Sequence, residues 1–566
     1  MPDPALSVKT EHGPIRGFAC THPIMSLSTA HLGTDGGLDP VHKWLGIPYA
    51  KARRFERPQD PDKWEDEKEC TEYGTMFPQP PGMTETALGK LPGFIMRPHI
   101  TQSEDSHTIN VYAPGDVKEG EKLPVMVYVY GGALNTGSSD RFFYDPTSFV
   151  RSQAPSQRCI VVVGNYRVNI FGFGASEDLE EVDDEGKCGN YGLYDVIKIF
   201  EWVQTNISAF GGDPSRVTAF GQSAGAFLIS YLLASGKKLF TRAILQSGAQ
   251  KTMSIRPPAK AYPALPKILA EISNDASDTS SARSRADLLR SHPTVDLLAL
   301  HKSHHSLESV SLTLESPSCP NAMWTNETVS RLERGEFDEW IESIVIGTTE
   351  DEGTLFAYGL GMVQEEAFEV WVRRFSPEVQ DQIRTKYLLR REDGTTYHPE
   401  PGKCRMEDLP GSKLLADQIF VNPVWDFAKS AKDKARNRNV WMYRLRTGVE
   451  GIGKIAPFGV MHSGDLPFVF NLTSLWNDDP ESAEGKTAKA MSSRWLDYAC
   501  SGCPDPDWKA FEPSDPSWLV FTEAGKVSNE SLADFEKNKI ELVIKPKEED
   551  ERERVGDEVL GATNEE

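Results

Sequence analysis

Apolar residues fall along this chain in two alternating patterns. Short, nearly continuous runs rich in β-branched residues are separated by longer stretches in which apolar positions recur every three to four residues. Leu123–Tyr130 (Leu-Pro-Val-Met-Val-Tyr-Val-Tyr) and Cys159–Asn165 are of the first kind, and so are the shorter runs Arg216–Phe220, Thr241–Leu245, Ser343–Ile346 and Val440–Leu445. Each predicts a strand. Runs that do not alternate apolar with polar belong in a sheet covered on both faces. Asp195–Phe210 is of the second kind, with Val196, Ile199, Phe200 and Val203 spaced for one helical face, and Ala224–Ala234 predicts a markedly apolar helix. Strands alternating with helices make the fold class α/β, with a large, mostly parallel central sheet flanked by helices.

Residues 257–340 are more helical and more variable in polarity, and are expected to form a cap-like insertion. Ser273–Arg285, rich in Ser and Asp, is expected to be a loop. From Lys545 the sequence becomes a charge run, which sets a boundary between a domain spanning residues 1–544 and a solvated tail, 545–566. No internal repeat is visible.

Composition narrows the function classes. Lys plus Arg number 61 against 84 Asp plus Glu, a formal charge of −23. Such a surface disfavours nucleic acid and anionic membranes as partners. No run of about 18 apolar residues suggests a membrane span. The first residues, Met-Pro-Asp-Pro-Ala-Leu-Ser, lack the apolar stretch of a secretory signal, and Thr-Asn-Glu-Glu at the end is no retention or lipidation signal, so a cytoplasmic location is expected. The sequence is silent on oligomeric state. The eight cysteines are scattered, and an even count in so long a chain is no evidence of pairing. Cys500-Ser-Gly-Cys503 lacks the βαβ context of a redox motif and reads as a helix end carrying two incidental thiols. His304-His305 has no accompanying acidic ligand pattern, so no metal is expected there.

The chemistry-bearing signal is Gly221-Gln222-Ser223-Ala224-Gly225. It fits G-x-S-x-G, with a strand directly before it and an apolar helix directly after, the setting of a nucleophile elbow in an α/β-hydrolase. A serine hydroxyl is a weak nucleophile without a base. A sharp strand-to-helix turn exposes Ser223, requires small residues on either side, and leaves the Ala224 N–H at a helix N-terminus facing a developing oxyanion. Gly131-Gly132-Ala133 follows the buried strand upstream, where further oxyanion donors are expected, so Gly132 and Ala133 are candidates beside Ala224.

In such a fold the acid and then the histidine follow the serine along the chain. After Ser223 come His292, His301, His304, His305, His398 and His462. His462, the last, lies in the loop Phe458–Phe470 among apolar residues, and order favours it. The strand at Ser343–Ile346 runs into an acidic loop where Glu350, Asp351 and Glu352 all compete as the acid.

These residues resemble the type B carboxylesterase, or cholinesterase-like, family. The resemblance spans roughly residues 7–530 and is carried by Phe210–Ala226, Gly189–Asp195, Gly164–Phe173, Leu45–Ala50 and Ser103–Asp105. It implies that the acid is Glu352, in Asp351-Glu352-Gly353, and that the base is His462. It also implies a structural pair between Arg54 and Glu104, and a supporting serine near the acid at Ser247. The departures carry information. Many relatives have Glu where this chain has Gln222, so the site is less anionic and neutral esters are favoured over cationic ones. Gly131-Gly132-Ala133-Leu134 replaces the family's Gly-Gly-Gly-Phe, which alters the acyl pocket. The loop after Ala50 is shortened. Ser106 stands where secreted relatives have a cysteine, in keeping with a reducing compartment. The implied activity is cofactor-free hydrolysis of a small-molecule carboxylic ester. Two other readings share the fold: a lactonase, amide hydrolase or cyclase acting on a natural product, and a catalytically silent binding protein.

Overall fold

The continuous apolar runs lie side by side in the middle of one sheet. The computed structural model describes residues 6–21, 38–82, 101–118, 120–183, 186–273, 279–304, 310–391, 393–399, 402, 404–432, 438–454 and 458–544. The charged tail 545–566, His305, the first five residues and the stretch 83–100 lie outside them.

In chain order the strands of this sheet are β1 (Phe18–Cys20), β2 (Val41–Pro48), β3 (Thr108–Pro114), β4 (Leu123–Val129), β5 (Ile160–Gly164), β6 (Gly212–Gln222), β7 (Arg242–Gln246), β8 (Ser343–Thr349), β9 (Asn439–Leu445), β10 (Ser517–Phe521) and β11 (Val527–Ser531). Among the described residues the sheet has 11 strands, ordered β11-β10-β9-β8-β7-β6-β4-β5-β3-β2-β1. From β5 to β10 every neighbouring pair is parallel. The two margins are antiparallel, with β1, β2, β3 and β5 paired on one side and β10 with β11 on the other.

All residues of β4, β5 and β8 are buried, as expected for strands covered on both faces. The helix predicted at Asp195–Phe210 begins four residues earlier, as α1 (Tyr191–Asn206), and closes in a 3₁₀ turn at Ile207–Phe210. The apolar helix after the elbow is α2 (Ala224–Leu232), buried throughout and packed on β6 and β7. The marginal strands were not legible as apolar runs. β2 contains His, Lys, Gly and Pro, and β11 is almost wholly exposed and polar, as suits the edge of a sheet.

Residues 257–340 carry a set of helices, including α3 (Leu265–Ser273), α4 (Ala282–Ser291) and α5 (Thr294–His304). The loop expected at Ser273–Arg285 needs correction at its end. Ala282–Arg285 form the first turn of α4, because Ser281 and Ser284 close a reciprocal capping box. The Ser-rich composition is therefore partly a helix start. Arg54 holds this region to the N-terminal part of the chain. It pairs with Glu104, with Nε 3.0 Å from Oε2, and donates to the carbonyls of Leu289 (2.9 Å) and His292 (2.6 Å) and to Thr294 Oγ1 (3.0 Å). All eight cysteines are free, and Cys500 sits in the last turn of the helix Ala483–Ser501 with burial pushing its thiol up to about 11, which disfavours thiolate chemistry. Among the described residues no helix is long and apolar enough to cross a membrane.

Replacing Arg54 by Met strands two helix-end carbonyls and the half-buried Glu104. The Arg54→Met protein is expected to lose about 2 kcal/mol of stability, read as a lower urea midpoint. An unchanged midpoint would mean that the pair is effectively solvated.

Candidate active site

The site is assembled at the carboxyl ends of the central parallel strands. β6 ends at Gln222, and Ser223 turns the chain sharply into α2 with φ 58° and ψ −125°. A non-glycine residue at positive φ is strained and persists only where its surroundings hold it. Here the Ser223 N–H donates to the Gln246 carbonyl at the end of β7 (2.8 Å), and the Ser223 carbonyl accepts from Phe227 N–H in α2 (2.9 Å). The turn brings α2 against the end of β4 so closely that a Cβ on Gly225 would run into the carbonyl oxygens of Val129 and Tyr130 (2.6 Å for the latter). The glycine is thus required by packing.

β7 ends in the same way. Ser247 has φ 52°, and its N–H donates to the Gly347 carbonyl of β8 (2.8 Å). Its hydroxyl donates to Glu352 Oε1 (2.6 Å), which also accepts from the Thr349 N–H (2.7 Å). The other carboxylate oxygen, Oε2, lies 2.5 Å from His462 Nδ1. Glu352 is fully buried. Burial alone would raise its carboxyl, but the His462 ring, the Ser247 hydroxyl and the Thr349 N–H hold it below the usual carboxylate range.

The three competing acids separate by direction. Glu350 pairs outward with Arg444 (2.8 Å) and Arg446 (3.2 Å). Asp351 accepts the Val460 N–H (2.7 Å) and pairs its own backbone with the chain around Val460 and Met461. In that position it fastens the histidine loop beside the acid loop. Of the three, Glu352 reaches His462.

His462 packs against Phe420 (ring centroids 4.3 Å apart) and Phe356 (5.2 Å). Its Nε2 is 3.0 Å from Gln222 Nε2. Glu352 must accept from Nδ1–H, so Nε2 carries the lone pair and the Gln222 amide donates to it. Among the described residues no hydrogen bond joins His462 to Ser223 Oγ. The lone pair of the ring is held instead by the glutamine that precedes Ser223.

The segment after β4 faces Ser223, and a Cβ on Gly131 would lie 2.8 Å from Ser223 Cβ. Gly132 (φ 118°), Ala133 (54°) and Leu134 (60°) form a run of positive φ closed by the Asn135 and Thr136 N–H groups on the Gly132 carbonyl (2.9 and 3.1 Å). Among the described residues the N–H groups of Gly132, Ala133 and Ala224 donate to no protein partner. They are the three that the sequence singles out as oxyanion donors.

Sequence reasoning did not find Asp465, Phe356 or Phe420. Asp465 is fully buried three residues after His462, accepting from Gln246 Nε2 and Tyr443 Oη (both 2.8 Å), and burial pushes its carboxyl up. A polar residue spaced so closely after a candidate base was the available signal. The two phenylalanines gave none, because aromatic residues in apolar surroundings read as core. His304 faces Glu271 (2.5 Å), and among the described residues no cluster of His, Cys, Asp or Glu fits a metal.

The model of the carboxylesterase family matches residues 4–540 of this chain. The chain is 30% identical to the para-nitrobenzyl esterase of Bacillus subtilis over 87% of its own length and 93% of that protein's. It is 27% identical to the cholinesterase of Mus musculus, covering 86% of this chain and 81% of the relative. Among solved structures, a para-nitrobenzyl esterase superposes with a TM-score of 0.70 at 25% identity, covering 95% of this chain and 99% of the other. The carboxylesterase of Geobacillus stearothermophilus superposes with a TM-score of 0.70 at 26% identity, covering 94% and 99%.

The elbow's close packing makes a paired test. Gly225→Ala is expected to lower stability by about 1–3 kcal/mol through overpacking against β4. Gly451→Ala, where an added Cβ meets nothing within 4 Å, should be neutral or slightly stabilising. Equal denaturation midpoints for the two variants would mean that the elbow has room to spare.

Proposed function

This chain belongs to the carboxylesterase family and is a carboxylic ester hydrolase, and from that premise we propose that Ser223, His462 and Glu352 carry out the hydrolysis through an acyl-enzyme intermediate on neutral ester substrates. The observation that carries the reading is the 2.5 Å contact between Glu352 and His462, which orients a histidine that also touches Gln222, the residue before the strained Ser223.

The proposed steps use this geometry. Nδ1–H is committed to Glu352, so Nε2 is the basic nitrogen. When it turns from the Gln222 amide to the serine hydroxyl, it takes the proton as Ser223 Oγ attacks the ester carbonyl. The negative charge that develops on the carbonyl oxygen is met by the N–H groups of Gly132, Ala133 and Ala224. A single donor of this kind is worth about 2.7–4 kcal/mol in the transition state. The imidazolium is stabilised by Glu352 and then gives its proton to the leaving alkoxide. Water then attacks the acyl-enzyme as His462 takes its proton, and the imidazolium returns that proton to Ser223 Oγ as the acyl C–O bond breaks and the acid leaves. The protons pass among Ser223, His462, the leaving alkoxide and the water, so the proposed cycle requires no cofactor.

Gln222 supports the substrate class. It is buried and touches His462, so a Glu at this position would set a negative charge against the reacting centre. With the neutral amide, a cationic alcohol or acyl group gains no such attraction.

Ser223→Ala is expected to abolish turnover of small aryl esters and labelling by a fluorophosphonate probe while circular dichroism is unchanged. Retained turnover would overturn the assignment. Glu352→Gln should lower kcat by roughly 10⁴-fold, as loss of the orienting carboxylate does in comparable sites. Gln222→Glu should raise the kcat/KM ratio of a cationic ester to its neutral isostere by roughly 10-fold or more, since an added charge acts at several ångströms in a poorly screened site. An unchanged ratio would remove Gln222 from substrate selection.

A further inference from the structure

The run of positive φ at Gly132, Ala133 and Leu134 needs a mechanical explanation. For Ala and Leu the left-handed region is sterically unfavourable, so the loop holds that shape only if other groups enforce it. One set of restraints comes from a loop and the start of a short helix, Asn169–Phe173. Gln79 bridges Gly137, accepting its N–H (2.7 Å) and donating to its carbonyl (2.8 Å). Asn169 donates its N–H to the Leu134 carbonyl (2.7 Å) and its side-chain amide to the Asn135 carbonyl (3.2 Å).

Another restraint comes from the helical region. His301, in α5, is completely buried and joins two partners. Its Nδ1 meets the Tyr262 hydroxyl, and its Nε2 lies 2.9 Å from Asn135 Oδ1. Burial pushes the Tyr262 phenol well up, so it stays protonated. Asn135 Oδ1 can only accept, so in the neutral ring Nε2 carries the proton and donates to it, and the lone pair of Nδ1 takes the Tyr262 hydroxyl. The tautomer is set by the two partners together.

Asn135 is the residue on which the aim of Ala133 depends. Its N–H and that of Thr136 hold the Gly132 carbonyl. In a trans peptide the C=O of one residue and the N–H of the next point in opposite directions. Pinning the Gly132 carbonyl to the Asn135 side therefore turns the Ala133 N–H to the other side. We propose that His301 is a positioning residue for ester hydrolysis, which through Asn135 keeps the Ala133 N–H aimed at the oxyanion. The start of α5 is fixed separately, by Thr294 Oγ1 on Glu104 (2.5 Å) and Arg54 (3.0 Å), so the helix presents His301 from a fastened base.

The proposal rests on the Ser223 esterase reading, and its test separates the two. Wild type, Ser223→Ala, His301→Ala, His301→Gln, Asn135→Ala and the double variant His301→Ala/Asn135→Ala are compared on one aryl ester, with melting temperatures and the affinity of a trifluoromethyl ketone transition-state analogue. His301→Ala is expected to lower kcat by about 10- to 100-fold with KM changed less than threefold, because an oxyanion donor acts in the transition state. Affinity for the ketone should fall in parallel. His301→Gln, whose amide can accept from Tyr262 and donate to Asn135, should recover most of the loss. The double variant should be no slower than Asn135→Ala alone, because both changes break the same link. Wild-type kcat in His301→Ala, or losses that multiply in the double variant, would overturn the proposal while leaving the esterase reading intact. Ester turnover retained by Ser223→Ala would overturn both.

Discussion

Much of this molecule follows from the need to keep one serine in a conformation that it would not choose. Ser223 sits at φ 58° between a parallel strand and a helix, and three neighbours hold it there. The Gln246 carbonyl takes its N–H, α2 takes its carbonyl, and Gly225 lets the helix close on the end of β4. None of these holds without the parallel arrangement, because the ends of β4, β6 and β7 must arrive at one edge together. The adjacent strand repeats the device, with Ser247 at φ 52° and its N–H on Gly347 of β8. Each turn is thus braced by the strand beside it. Strained residues of this kind gather at functional sites because their cost is met by the surrounding fold, and ligand sites gather at the carboxyl ends of parallel strands.

The brace at Ser247 has a chemical use as well. A carboxylate as deeply buried as Glu352 loses the solvation of its charge, a penalty of several kcal/mol in real proteins. Its two oxygens are met by one hydroxyl, one backbone N–H and one imidazole. The first two come from residues placed by the ends of β7 and β8, so the sheet supplies the donors that keep the acid ionised. An ionised Glu352 in turn fixes the His462 tautomer. Backbone strain at one strand end and the basicity of a ring nitrogen are therefore parts of one arrangement.

How much of this could be read from the residues divides by distance along the chain. The strands β4, β5 and β8 were plain because burial on both faces removes polar positions from them. The elbow was plain because its requirements are local: a strand, two small residues and a helix within a few positions. The acid was not readable from pattern. Glu350, Asp351 and Glu352 are consecutive, and a turn sends consecutive side chains in different directions, so only the fold separates an ion pair with Arg444 from a contact with His462. A resemblance to a family identified Glu352, where spacing could not. The edge strands were hidden by their polarity, and the start of α4 by serines that serve as caps. The link between His301 and Asn135 spans 166 positions and involves no recurring pattern.

That last link bears on how the fold divides its labour. The sheet holds Ser223, Glu352 and His462 by short-range devices at its own edge. The loop at Gly132 to Leu134 is different, because it lies beyond the end of β4 with no strand beside it, among the described residues, to set its dihedral angles. Its restraints arrive from Gln79, Asn169 and α5, three separate parts of the chain. A sheet edge can aim side chains precisely enough for proton transfer, but backbone donors in a loop need side chains from outside the sheet to lock their peptide planes. Residues 257–340 therefore reach this loop directly, through the contact of His301 with Asn135. On the role proposed for His301, a change in that region would reach the loop after β4 through this hydrogen bond.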